Sequence, residues 1–140
     1  MNNSDLFYNE NTISLIKTAG EYCNLVEECS NYTLKEFIGK LLICLPNLYY
    51  LAMLIPEIEE ISESYNEKYV TEEMYNKLYN SLMIKLGQYD SFEGLYIEEE
   101  FNNAEKTSMS ISEFLTDIYQ DLKNFIYLFQ FGNEEVMLEA

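Results

Sequence analysis

Glu113, Asp117 and Asp121 recur every four residues within SMSISEFLTDIYQDLKNFIYLFQF, residues 108–131. On a helix this spacing puts three carboxylates on one face, with Gln120 and Asn124 beside them. A hard divalent cation binds oxygen ligands of this kind. Glu113, Asp117 and Asp121 are therefore candidate metal ligands, with Glu36, Glu57 or Glu60 as donors from a second helix. Like charges at this spacing destabilise a bare helix by roughly a few tenths of a kcal/mol per pair, which a cation would offset. The same ridge also reads as a solvated acidic face, balanced by Lys123 and by lysines on neighbouring helices. Tyr119 lies between the two aspartates, where its hydroxyl can bond a carboxylate in a partly buried network. Tyr119, Gln120 and Asn124 are candidate partner-contacting residues, with helix packing as the other role for the tyrosine.

The element that must carry these side chains has its own start and stop signals. Ser110 and Glu113 have capping-box spacing, and Gly132 supplies a left-handed cap. Between them Ile111, Leu115, Ile118, Leu122, Phe125 and Phe129 trace one apolar seam, read as core rather than as a dimer zipper. Upstream, Ile13, Ile16, Ala19, Tyr22, Cys23 and Val26 predict a first helix over about 12–28, capped by Asn11 or Thr12. Thr33 and Glu36 form a second capping box, opening a helix that runs on through LPNLYYLAML. Apolar residues surround that helix, which predicts a central, buried element. Pro46 predicts a kink or a break there, with two helices, 33–44 and 46–55, as the alternative. Residues 56–70 are acidic and weakly periodic, and read as a connector. Thr71 opens a third helix with Glu72 and Glu73 in its first turn, and Gly87 ends it. Residues 88–107 show no strand pattern and read as a long irregular segment mixing aromatics with glutamates. Asn133 with Glu134 and Glu135 reads as the start of one more short helix.

Composition excludes several function classes. Among 140 residues there is no His and no Trp, and all eight basic residues are lysines. Without His the usual neutral-pH acid–base catalyst is absent, and neither a Cys–His pair nor a Ser–His–Asp triad can form within one chain. Without Arg there is no bidentate clamp for phosphate or carboxylate. A net charge of −17 repels nucleic acid and anionic membranes. The longest apolar tract, Leu41 to Ile55, is interrupted by Pro46 and Asn47 and is too short for a membrane span. Cys23, Cys29 and Cys44 match no zinc spacing, and Cys23 and Cys44 read as buried thiols. With no secretory leader in MNNSDLFYNEN, the predicted address is the cytoplasm.

SISEFLTDIYQDLKNFIYLFQ, with the preceding VTEEMYNKLYNSLMIKLGQYDSF, resembles a bacterial, Bacteroidetes-type family of all-α domains of unknown function. The residues carrying the resemblance are Ser110, Ile111, Ser112, Leu115, Asp117, Ile118, Tyr119, Gln120, Asp121, Leu122 and Lys123. Members of that family continue past the equivalent of Ala140 into a further aromatic-rich helix, so the resemblance implies a chain lacking a C-terminal helix. It implies no activity, substrate or catalytic residue.

The sequence thus predicts one all-α domain over 1–140, an irregular bundle of four or five helices. The 33–55 segment is expected at the centre, with the 110–131 helix against it. The predicted function is a non-catalytic, acidic protein-interaction module, with no catalytic residue and no cofactor beyond a possible divalent cation. It would bind a protein with a basic or apolar surface, and it would dimerise if an apolar groove is left open. The competing reading is a carboxylate-metal hydrolase resembling the all-α nucleoside-triphosphate pyrophosphatases, which hold magnesium on ExxE followed by ExxD. Glu57 and Glu60 fit the first half, whereas Glu113 to Asp117 is one residue too long for the second.

Overall fold

The computed structural model describes residues 9–55, 69–98 and 103–139. Helix α1, Glu10–Glu27, starts where the Asn9 side chain accepts the Asn11 amide at 2.8 Å. A 3-10 turn, Cys29–Asn31, leads to α2, Leu34–Met53, capped by Thr33 Oγ1 on the Glu36 amide. Helix α3, Glu72–Leu86, is capped in the same way by Thr71 on Met74. It ends at Gly87, whose φ of 53° is reached at little cost only without a Cβ. A 3-10 turn, Gly87–Tyr89, follows, then strands β1, Ser91–Glu98, and β2, Asn103–Ser110. Helix α4, Ile111–Glu139, closes the described chain. Among the described residues, four helices with one small ribbon match the all-α class expected from periodicity.

Several expectations are corrected. The described residues of the 88–107 stretch are not irregular: β1 and β2 pair antiparallel, from Ser91 opposite Ser110 to Glu98 opposite Asn103. Strand NAEKTSMS is almost wholly polar, so it lacks the alternation that marks a half-buried strand. A two-stranded ribbon needs no buried face, and this one is fastened by Phe92 against Phe114, centroids 6.1 Å apart. Close approach also matters, since a Cβ at Gly94 would lie 2.5 Å from the Met109 sulfur. Pro46 does not break α2. Pro46 and Leu42 are both exposed, so water can reach the Leu42 carbonyl that loses its helical donor, while Leu41 and Leu48 anchor the flanking turns in the core. Gly132 does not stop α4, which runs on through Asn133 to Glu139. A glycine permits a left-handed cap without requiring one, and among the described glycines only Gly87 has positive φ.

The centre of the domain is α1, not α2. Helix α1 packs on both α2 and α4 and touches α3, whereas α3 lies mainly against α4. Small side chains explain this: Thr12, Thr18, Ala19 and Cys23 are all buried on α1 and let neighbours approach from several sides. Tyr22 is fully buried and donates its hydroxyl to the Leu115 carbonyl at 2.7 Å, pinning α1 to α4. On α4 the tightest strip is Ser112, Leu115, Thr116 and Tyr119, rather than the whole apolar seam. Lys85 donates to the Tyr32 carbonyl at 2.6 Å and ties α3 to the first turn. Only Phe37, Leu41 and Leu48 are buried on α2.

Candidate functional site

The acidic ridge lies on the outer side of α4, where Glu113, Asp117 and Asp121 are exposed. Asp117 accepts the Tyr75 hydroxyl at 2.7 Å, a link from α3 to α4. Burial, and then this bond to Asp117, push the Tyr75 hydroxyl well above its ordinary range. Among the described residues no group of three or more His, Cys, Asp or Glu side chains converges as a metal shell would. Glu36 lies on α2, exposed in that helix's first turn, and Glu57 and Glu60 fall outside the described residues.

The predicted contact residues have other occupations. Tyr119 is only 3 % exposed, so its ring belongs to the core and is unavailable to a partner. Burial, followed by the charge of Glu27, raises its hydroxyl far above the usual tyrosine range. Its ring carries the Lys123 ammonium 5.9 Å from the centroid, and Lys123 also pairs with Glu27 at 3.3 Å. Asn124 is a clamp: its Oδ1 accepts the amides of Tyr69 and Val70 at 2.9 and 2.8 Å. Those bonds hold the entry to α3 against α4. Gln120 is half-buried beside them.

A polar centre that periodicity did not mark sits where α3, the ribbon and α4 meet. The buried Asp90 carboxylate accepts the Ser112 amide at 2.6 Å, the Ser112 hydroxyl at 2.8 Å and the Ser110 hydroxyl at 3.0 Å. Its own carbonyl accepts the Ile111 amide at 2.8 Å. Asp90 therefore does much of the capping that the Ser110–Glu113 box was expected to do alone, although Ser110 Oγ still accepts the Glu113 amide at 3.3 Å. A negative carboxylate at a helix N-terminus is favoured by the macrodipole as well as by the bonds. The sequence signal was an Asp three residues past the glycine that terminates a helix. Its partner lies 22 positions away, so no local pattern reveals it.

All three cysteines are free thiols. Burial pushes Cys23 up to about 12 from an ordinary 9.0, with Lys123 opposing. Cys29 and Cys44 are raised for the same reason. None is activated toward nucleophilic chemistry.

Among the described residues the most extensive exposed apolar surface is the outer face of α2. Leu42, Ile43, Tyr49, Tyr50 and Met53 are all more than half exposed, Ile43 reaching 77 %, and Leu54 continues the face. Leu42 and Tyr49, like Ile43 and Tyr50, are seven apart, and Met53 and Leu54 follow Tyr49 and Tyr50 by four, so they form one strip on the side opposite Phe37, Leu41 and Leu48. No Asp, Glu or Lys occurs from Leu41 to Ile55. Beside the strip, α1 and α2 part into an open cleft of about 360 Å³ lined by Leu25, Tyr32, Ile43 and Cys44, with Glu21, Asn24 and Lys40 among its polar groups. Lys40 lies over the Tyr32 ring at 5.3 Å. An all-round apolar helix suggested burial, but the structure uses one side for the core and leaves the other open.

These features define a small helical domain with one β-ribbon, a capped and clamped final helix, and an uncovered apolar face. The family model described as domain of unknown function (DUF5063) matches residues 7–140, and the chain belongs to that family. The crystal structure of protein BF1032 from Bacteroides fragilis superposes with a TM-score of 0.75 at 34 % identity, covering 94 % of this chain and 76 % of that one. No curated protein matches the chain. The resemblance read from SISEFLTDIYQDLKNFIYLFQ is thus upheld at the level of the family. Among the described residues no helix is long and apolar enough to cross a membrane.

Proposed function

We propose that this domain is a non-catalytic protein-interaction module whose docking surface is the outer face of α2. The observation that carries this reading is the uncharged strip from Leu42 to Leu54, exposed on a protein of net charge −17. Single exposed apolar residues are ordinary, but a contiguous strip marks a surface that another molecule covers. The acidic surroundings favour a partner with basic or apolar chemistry. This reading moves the docking surface from α4 to α2, because Tyr119 is buried and Asn124 is engaged within the fold.

A photo-crosslinking side chain at Tyr50, introduced in the cells that make the protein, tests it. A discrete adduct is expected there and not from the same group at Ile84, an exposed position on α3 away from the α2 strip. Equal labelling from both positions overturns the reading. A magnesium or manganese titration tests the carboxylate-metal alternative. A rise in thermal midpoint at submillimolar metal, lost in Asp117→Asn with Asp121→Asn, would favour the hydrolase instead.

A further inference from the structure

We infer that the occupant of the α2 face is a single amphipathic helix with basic flanks, whose apolar anchor residue seats in the cleft between α1 and α2. The inference rests on the reading of this face as a docking surface and names what docks there. From Leu42 to Leu54 the strip is about 18 Å long at 1.5 Å per residue, some three turns of a facing helix. An apolar strip on one continuous helix, with a pocket alongside, suits helix-in-groove recognition, in which residues at i, i+3, i+4 and i+7 supply the anchors. The cleft offers one such anchor an apolar lining in Leu25, Ile43 and Cys44. Glu21, exposed beside it, can meet a cation next to that anchor.

Charge decides between occupants. A second copy would bring −17 against −17 across a strip that holds no charge of its own to offset the repulsion. A helix with lysine or arginine flanks is instead drawn in by the same field, while its apolar face covers the strip. Lys35 and Lys40, near the N-terminal end of α2, set the polarity: the most basic flank of the partner lies toward the Leu54 end.

The probe is a labelled peptide of about 18 residues, leucine on one helical face and lysine on the other, titrated into the full chain by fluorescence anisotropy. Saturable binding is expected, weakened at least about tenfold by Ile43→Glu or Tyr50→Glu, the scale of a hot-spot loss. Both positions are exposed, so the variants should keep the wild-type thermal midpoint, and Ile84→Glu should bind as wild type does. A scrambled peptide of the same composition should bind at least about tenfold more weakly. Equal binding of the scrambled peptide would mean generic attraction to an acidic protein and would overturn the inference. A dimer by light scattering that Ile43→Glu dissociates would also overturn it, while leaving the face an interaction surface. A monomer that fails to bind the probe would overturn the helical occupant, and the crosslinking at Tyr50 would then show separately whether the face docks anything.

Discussion

Replacing Asp90 by alanine should destabilise the domain by about 3 kcal/mol. The carboxylate accepts three hydrogen bonds, at 2.6, 2.8 and 3.0 Å, and two of the donors belong to Ser112, which is fully buried. A bond to a charged group contributes about 1.5–3 kcal/mol net, and loss of an N-cap about 1 kcal/mol. These losses overlap, because the Ser112 amide is counted in both. Ser110 and Ser112 can still bond one another through their hydroxyls, 2.7 Å apart, which recovers part of the loss. About 3 kcal/mol is therefore the expected net effect. At roughly 3–4 °C per kcal/mol for a domain of this size, the thermal midpoint followed by circular dichroism should fall by about 10 °C. Asp90→Asn keeps an oxygen for the Ser112 amide but loses the charge at the start of α4, so a fall of about 4 °C is expected. A midpoint for Asp90→Ala within about 2 °C of wild type would refute the claim that this carboxylate organises the junction.

Asn124→Ala should cost about 2 kcal/mol by urea unfolding, since it strands the half-buried amide of Val70 together with that of Tyr69. Thr12→Val should be neutral or stabilising by about 1 kcal/mol in the same assay, because the buried Thr12 hydroxyl has no partner. Alkali should unfold the protein early. The folded state holds protons on Cys23 up to about 12, and on Tyr22, Tyr75 and Tyr119 above their ordinary range. The unfolded chain releases them first, so stability is full below about pH 9 and falls as pH rises, by up to about 1.4 kcal/mol per unit for each group. In a thiol-reagent time course near pH 8, half-buried Cys44 should react first, with Cys23 and Cys29 following only as the fold opens.

Helices α2 and α3 were legible at their starts because each begins with a side chain that local chemistry requires, whereas α1 is capped by Asn9 rather than by Asn11 or Thr12. Thr33 and Thr71 cap as their spacing demands, and Gly87 ends α3 in the conformation glycine favours. The strands were not legible, since Asn103–Ser110 offers polar residues and no alternation. Nor was the burial order. Hydropathy made α2 the most apolar helix, but which helix becomes central depends on how closely neighbours can approach. That favours the Thr, Ala and Cys positions of α1. Glu113, Asp117 and Asp121 are exposed on α4, yet Asp117 serves Tyr75 and Asn124 clamps the start of α3. Such pairings cross 42 and 54 positions of chain, beyond any local pattern. The α2 face was present in the sequence as excess apolarity, and only packing revealed that one side of it stays exposed among the described residues.

Amide-resolved NMR mapping of the leucine–lysine peptide onto the isotopically labelled protein tests the docking surface most directly. Shifts should concentrate on 42–54 and on the cleft residues Leu25 and Tyr32, leaving Glu113, Asp117 and Asp121 unmoved. Shifts centred on those three carboxylates, or scattered over every acidic surface, would contradict it.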